Sequence, residues 1–347
     1  MISRVAESCF WLTRYLERID AWSRLLDVNS SFRLDIPQAT PDRWRPLVIV
    51  LGQQADFLDR YGEDVIEDAE VVQRYLVWDP ENPCSLLSSA RAERENARTT
   101  REVISVEMWE LVNEFWLWMT SRAAKRLYDR DRDAFYARVN SHCLMFHGTC
   151  YSSMLHDKPY SFIVLGRAVE RAGQVARVLD VHHHALGEKE GSSAATAAQW
   201  IAILRSCSAY EPFFKRESSV LTGAAVAEFM LFDRTFPRSV MHNLDRTGGI
   251  LQQLLEERPA ALPPASLNAY DRVIGSLVQM DVDDVLEVGL HETLTMIVDG
   301  IADLCEAIQA DFFPAIDSVA PIGRRVAADS KASTGEAASQ ATSSPNA

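Results

Sequence analysis

The residues best able to do chemistry in this chain are arginines and glutamates at helical spacing, and they occur twice. "RYLERIDAWSRLLDV" (14–28) carries Arg14, Glu17, Arg18 and Arg24, and "RAVERAGQVARVLDV" (167–181) carries Arg167, Glu170, Arg171 and Arg177. A guanidinium fork takes a carboxylate or phosphate through paired N–H groups, and a neighbouring glutamate can accept a proton or hold an amine. Exposed ion pairs contribute only ~0.2–1 kcal/mol, so a solvent face exchanges its charges freely. Charges kept in place in two segments therefore point to a surface that meets protein or ligand.

Three readings of that surface stand side by side. In the first, the two helices pair across a pseudo-twofold axis and their charges satisfy one another, because each would be costly to bury alone. In the second, the arginines line a cleft for a carboxylate or phosphate, with Glu17, Glu107 or Glu170 as base. In the third, the face meets a protein partner or a second copy of the chain. Arg167→Ala separates the first two: a buried pair would cost ~3–5 kcal/mol of stability, a ligand site only activity.

Further polar candidates lie in "ERENARTTREVISVEMWELVN" (93–113), read as one dense helix carrying Asn96, Arg98, Arg101 and Glu107, and at Arg238. Other chemistries lack their signatures. There is no Walker loop or GxGxxG for a nucleotide, no ExxH pair for a di-iron bundle and no GxSxG elbow. His182, His183 and His184 point in different directions on a helix, so no metal site is assigned.

The elements that position these residues are helical throughout. Residues 12–28 placed on 165–181 match at Leu12, Arg14, Glu17, Arg18, Arg24, Leu26, Asp27 and Val28. Residues 75–86 and 229–240 match at nearly the same offset, pairing Asp79 with Asp233, Pro83 with Pro237 and Ser85 with Ser239. Between these, Trp44 and Trp200 open similar apolar segments at an offset of 156, and three elements in one order indicate an internal duplication. Apolar spacings of three and four recur over 3–33, 43–61, 64–77, 84–126 and 131–155, and again from 160 to 312, with no alternating strand pattern. The expected architecture is an all-α helical bundle of two pseudo-symmetric tandem repeats, 1–158 and 159–316, with an Ala/Ser/Thr-rich tail over 317–347 expected to be disordered.

Composition narrows the function. The chain has 347 residues and a net charge of −14, which argues against a nucleic-acid reader. No stretch approaches the ~18 apolar residues of a membrane span, and no signal-peptide pattern opens the chain. Six cysteines without CxxC spacing read as reduced, small apolar residues of a cytoplasmic protein.

The segments "SRVAESCFWLTRYLERIDAWSRLLDV", "DPENPCSLLSSARAERENARTTREVISVEMWELVN", "LGRAVERAGQVARVLDV" and residues 229–240 resemble the bacterial alpha-E proteins, in family order from residue 2 to about 315. That resemblance implies helical architecture and a partner: a circularly permuted ATP-grasp protein encoded beside or fused to the domain, with a transglutaminase-like protease in the same setting. It implies no cofactor on this chain, with ATP and Mg expected on the partner ligase. The family's polar positions fall here on Arg14, Glu17, Arg18, Asn96, Arg98, Arg101, Glu107, Arg167, Glu170, Arg171 and Arg238. The expected function is a helical accessory or co-catalytic subunit of an amide- or peptide-ligase system. The alternatives are a stand-alone enzyme or binder for amino-acid or peptide amides, and a helical scaffold.

Overall fold

A computed structural model describes residues 3–31, 44–186, 193–216, 220–256 and 264–313, the side chains of 182–186 and 193–195 excepted. The tail and the histidine run 182–184 lie outside the described residues and side chains. Sixteen α-helices and no strand occur among the described residues. In the first part of the chain they are α1 (Ser3–Ser31), α2 (Arg45–Val50), α3 (Gln54–Tyr61), α4 (Ala69–Trp78), α5 (Leu86–Thr99), α6 (Val106–Met119), α7 (Arg122–Arg130) and α8 (Arg132–Ser153). There follow α9 (Lys158–Leu186), α10 (Ser193–Ser206), α11 (Tyr210–Lys215), α12 (Gly223–Phe232), α13 (Val240–Glu256), α14 (Ala265–Val278), α15 (Val282–Val288) and α16 (Leu290–Phe312).

The two longest helices, α1 and α9, form the spine. Leu12, Tyr15, Leu16, Ile19, Trp22 and Leu26 of α1 are buried, as are Val169, Ala172, Val175, Ala176 and Leu179 of α9. The two run in the same direction, because their contacts climb together: Thr13 Oγ1 donates to the Ile163 carbonyl at 2.7 Å, Arg14 reaches Glu170, and Arg171 reaches Glu17. Gly166 permits the approach, since a Cβ there would run into the Phe10 carbonyl. Around this pair, α5 and α8 cover α1, and α13 and α16 cover α9. Two short helices cross over: α2 packs on α9, and α10 on α1.

One capped loop is built twice. Asp79 Oδ1 accepts from the Glu81 N–H at 2.9 Å, while Ser85 donates to the Asp79 carbonyl and caps α5 through the Ser88 N–H. Asp233 Oδ1 likewise accepts from the Thr235 and Phe236 N–H groups, and Ser239 donates to the Asp233 carbonyl and caps the His242 N–H. The serines satisfy N–H groups that open a helix and the aspartates hold the turn before it, so the matched residues are explained as local architecture.

Several sequence-predicted helices are broken. The segment 84–126 is three helices. The first ends at Thr99, and Ser105 opens the second by accepting from the Met108 N–H at 3.2 Å. The supposed single helix over 93–113 is therefore two, with Glu107 on a different element from Asn96 and Arg98. Gly52 and Gly289, both with positive φ, split the segments 43–61 and 284–312.

Candidate functional site

The repeated charges meet at the α1–α9 interface as an exchange. Glu170 accepts from Arg14 Nε at 2.6 Å and from Arg18 Nε at 2.7 Å. Glu17 accepts from Arg171 Nε at 2.9 Å and Nη2 at 2.6 Å. Each Glu-Arg dipeptide thus gives its glutamate to the other helix's arginine. Both glutamates are buried, at 2% and 3% exposure, while the arginines keep an edge in water. The guanidiniums of the first pair lie over aromatic faces, Arg14 4.3 Å from the centre of the Trp11 ring and Arg18 5.3 Å from that of Tyr15.

Burial pushes both carboxyls up, but their partners win. Arg18 and Arg14 hold Glu170 well below the usual carboxylate range, and Arg171 and His147 do the same for Glu17. His147, 2.8 Å from Glu17 Oε1, is itself pushed down by burial, against the pull of the carboxylate.

The two ends of the exchange are not equivalent. On the Glu17 side, Asp20 joins the network, binding Arg24 at 3.0 Å and Arg238 at 2.7 Å. On the Glu170 side, Gln174 Nε2 donates to Glu170 Oε1 at 2.7 Å, and Cys84 and Cys305 stand near Arg18 and Arg177. Arg167 and Arg177 make no hydrogen bond or ion pair among the described residues. Both guanidiniums are pushed down, Arg167 by burial and then Arg171, and Arg177 by burial and then Arg18 and Arg14.

Of the sequence-predicted residues, the structure gathers Arg14, Glu17, Arg18, Arg24, Arg167, Glu170, Arg171, Arg177 and Arg238 into this one region. It leaves out four. Asn96 Nδ2 donates to the Ala92 carbonyl of its own helix. Arg98 pairs with Glu95 in solvent, and Arg101 sits 4.8 Å over the exposed side of Trp109. Glu107 is exposed at the start of α6. The break at Thr100–Ser105 puts Glu107 on a different helix from Asn96 and Arg98, and leaves Arg101 between the two.

Sequence reasoning missed a second buried pair, Glu93 with His142 at 2.9 Å, the imidazole stacked 3.9 Å from Phe115. The signal was a third described Glu-Arg dipeptide, at 93–94. It also missed His147 and Gln174 as partners of the glutamates. A cavity of about 390 Å³ lies elsewhere, between the first turns of α9 and α13, lined in part by Tyr160, Val164, Asp245 and Arg246. None of the predicted residues lines it. Among the described residues no three His, Cys, Asp or Glu side chains are grouped to hold a metal, and no helix is long and apolar enough to cross a membrane.

An all-helical domain centred on two interlocked Glu-Arg dipeptides is the class that fold and site define. The Alpha-E family model, described as a predicted alpha-helical domain with a conserved ER motif, matches residues 1–313. The chain belongs to that family. It is 24% identical over 318 residues to uncharacterised proteins of Mycobacterium bovis and Mycobacterium tuberculosis, covering 86% of this chain and 35% of each relative. The chain thus spans about a third of the length of those relatives. No solved structure matches.

Proposed function

We propose that this protein is a helical accessory or co-catalytic subunit of an ATP-grasp-type amide or peptide ligase system, acting in the cytoplasm. Its two halves, 1–158 and 159–316, are copies of one unit fused at the α1–α9 interface. The observation that carries the accessory reading is an apolar strip that the fold leaves uncovered. Leu144, Tyr151 and Leu155, at helical spacing along and just beyond α8, are 59%, 70% and 78% exposed, and Val106 at the start of α6 is 68% exposed. Ser153 and Ser105 join the two elements at 2.7 Å. Large exposed apolar side chains on two joined elements are where a protein contact would form. The kind of partner comes from the family resemblance, and the mycobacterial relatives, about two and a half times as long, fit a domain that works beside another module.

The stand-alone enzyme is the weaker reading on physical grounds. A general base works best with a pKa near the operating pH, yet Glu17 and Glu170 are both held far below it. Burial pushes Cys9, Cys150 and Cys207 upward, to about 12, 11 and 12, and holds Cys143 well above the usual thiol range, so none is an activated thiolate.

The test is an affinity purification of the tagged full chain from its own cells, with ATP turnover measured for each purified protein and for the mixture. Co-purification of an ATP-grasp protein, with turnover only in the mixture and loss of both on Tyr151→Asp, is the expected result. A chain that purifies alone overturns the proposal.

A further inference from the structure

The difference between the two ends of the exchange has a chemical meaning. Arg24 and Arg177 hold matching places in the repeated helix. Arg24 is answered by the Asp20 carboxylate, which also takes Arg238. The residue matching Asp20 on α9 is Gly173, and the residue matching Arg238 is Cys84. The Arg177 guanidinium therefore lies against the glycine, with Nη1 3.1 Å from where a Cβ would stand. Three guanidiniums, Arg14, Arg18 and Arg177, then share the single carboxylate of Glu170, which Arg14 and Arg18 already occupy. One turn away, Gln174 spends its Nε2 on Glu170 and leaves its buried Oε1 with no donor. A buried acceptor without a donor is destabilising, and so marks a place where a donor from outside is favourable.

We infer that Arg177, flanked by Arg18 and Gln174, is a binding site for the free carboxylate of a small ligand of the amino-acid or peptide type. The chemistry is that of the other end of the interface, where a one-carboxylate side chain answers the matching arginine. On the Arg177 side no carboxylate among the described residues is placed as Asp20 is, and the inferred ligand supplies it. The charge asks for an anion, the Asp20 precedent asks for a carboxylate, and the Gln174 oxygen asks for an N–H close to it. A peptide C-terminus or an acylated amino acid offers both groups on neighbouring atoms. Arg18 is 21% exposed, so the site opens to solvent along the same edge. The inference deepens the proposed function by naming a ligand class for the duplicated Arg/Glu face, and it stands on a separate measurement.

The probes are N-acetylalanine, its amide N-acetylalaninamide, and inorganic phosphate, titrated calorimetrically into the full chain. The acid is expected to bind saturably and the amide to give no heat. Arg177→Gln should weaken the acid by about tenfold or more, the loss of one charge-assisted contact. Gly173→Asp is the decisive variant, because it supplies Arg177 with the carboxylate that Asp20 gives Arg24. It should abolish binding and raise the Tm, and a raised Tm shows that the variant is folded. Amide binding equal to the acid, phosphate binding tighter than the acid, or Gly173→Asp binding like the parent would each overturn the inference. Acid binding by a chain that captures no partner would sink only the accessory reading. Partner capture without acid binding would sink only this one.

Discussion

Arg171 donates from Nε and Nη2 to both carboxylate oxygens of Glu17, at 2.9 and 2.6 Å, across an interface joining residues 154 positions apart. Arg18 and Glu170 form the counterpart from the opposite helix at 2.7 Å. The charges that looked like a binding face are thus, for the most part, the fastening between the two longest helices. The fastening does not use Arg167 or Arg177, which make no hydrogen bond or ion pair among the described residues.

Removing one member of a buried ion pair strands the other. Arg171→Ala should destabilise the protein by ~3–5 kcal/mol, whereas Arg167→Ala, four residues earlier on the same helix but without a counterion, should cost less than ~1 kcal/mol. Urea unfolding of both variants checks this. Equal losses would mean that Arg167 carries structural load after all.

Acid should loosen the spine in a defined window. Glu17 and Glu170 are depressed in the folded state, so they bind protons more readily once unfolded. Their contribution is present above the ordinary glutamate pKa of ~4.3 and is lost as pH falls toward the folded values. Tm measured from pH 7 to pH 3 should hold until about pH 5 and then fall. Glu170→Gln should flatten that fall.

Asp27 has the opposite sign. Burial, then repulsion from Asp133 on α8, pushes it up to about 6, against the pull of Arg24. A carboxyl raised in the folded state costs stability as pH rises from ~4 to 6. Asp27→Asn should therefore raise the Tm at pH 7 by roughly 2–4 °C and leave it unchanged at pH 4. A lower Tm at pH 7 would show that the charge is needed.

Gly166→Ala should force α1 and α9 apart, because its Cβ would meet the Phe10 carbonyl and the Thr13 hydroxyl. The expected loss is at least ~3 kcal/mol, as for an overpacked contact that cannot relax. Gly148→Ala, on the open side of α8 with nothing within 4 Å, should be neutral or stabilising by up to ~1 kcal/mol. Differential scanning calorimetry of the two variants makes the comparison.

Thiol chemistry gives a quick check on the packing. Cys9, Cys143, Cys150 and Cys207 are buried, while Cys84 and Cys305 are only partly covered. In the native protein an aromatic disulfide reagent should titrate at most these last two, and all six in denaturant. Native labelling of Cys143 would contradict the α1–α8 contact.

The helical character and the importance of the repeated face were legible in the sequence, because apolar spacing and duplicated charges are both local patterns. The partners were not. That Glu17 belongs to Arg171 and His147 depends on how three helices cross, and no spacing within α1 encodes the crossing. The break after Thr99 was hidden for a related reason. Ile104 and Met108 continue the apolar spacing through it, and the only marks are the Thr-Thr pair and the capping Ser105, with no Gly or Pro. Arg98, Arg101 and Glu107 became candidates through the family resemblance, while their spacing alone was equally that of a solvated helix, which the Arg98–Glu95 pair fits.

The parallel docking of α1 on α9 also sets a problem of timing. During synthesis α1 emerges long before α9 exists, so the face that carries Thr13, Arg14, Glu17 and Arg18 is made well ahead of the helix it meets. α5 and α8, which pack on α1, also precede α9 in the chain. The charges that lock the two long helices together are thus also the ones that face water while the chain is unfinished.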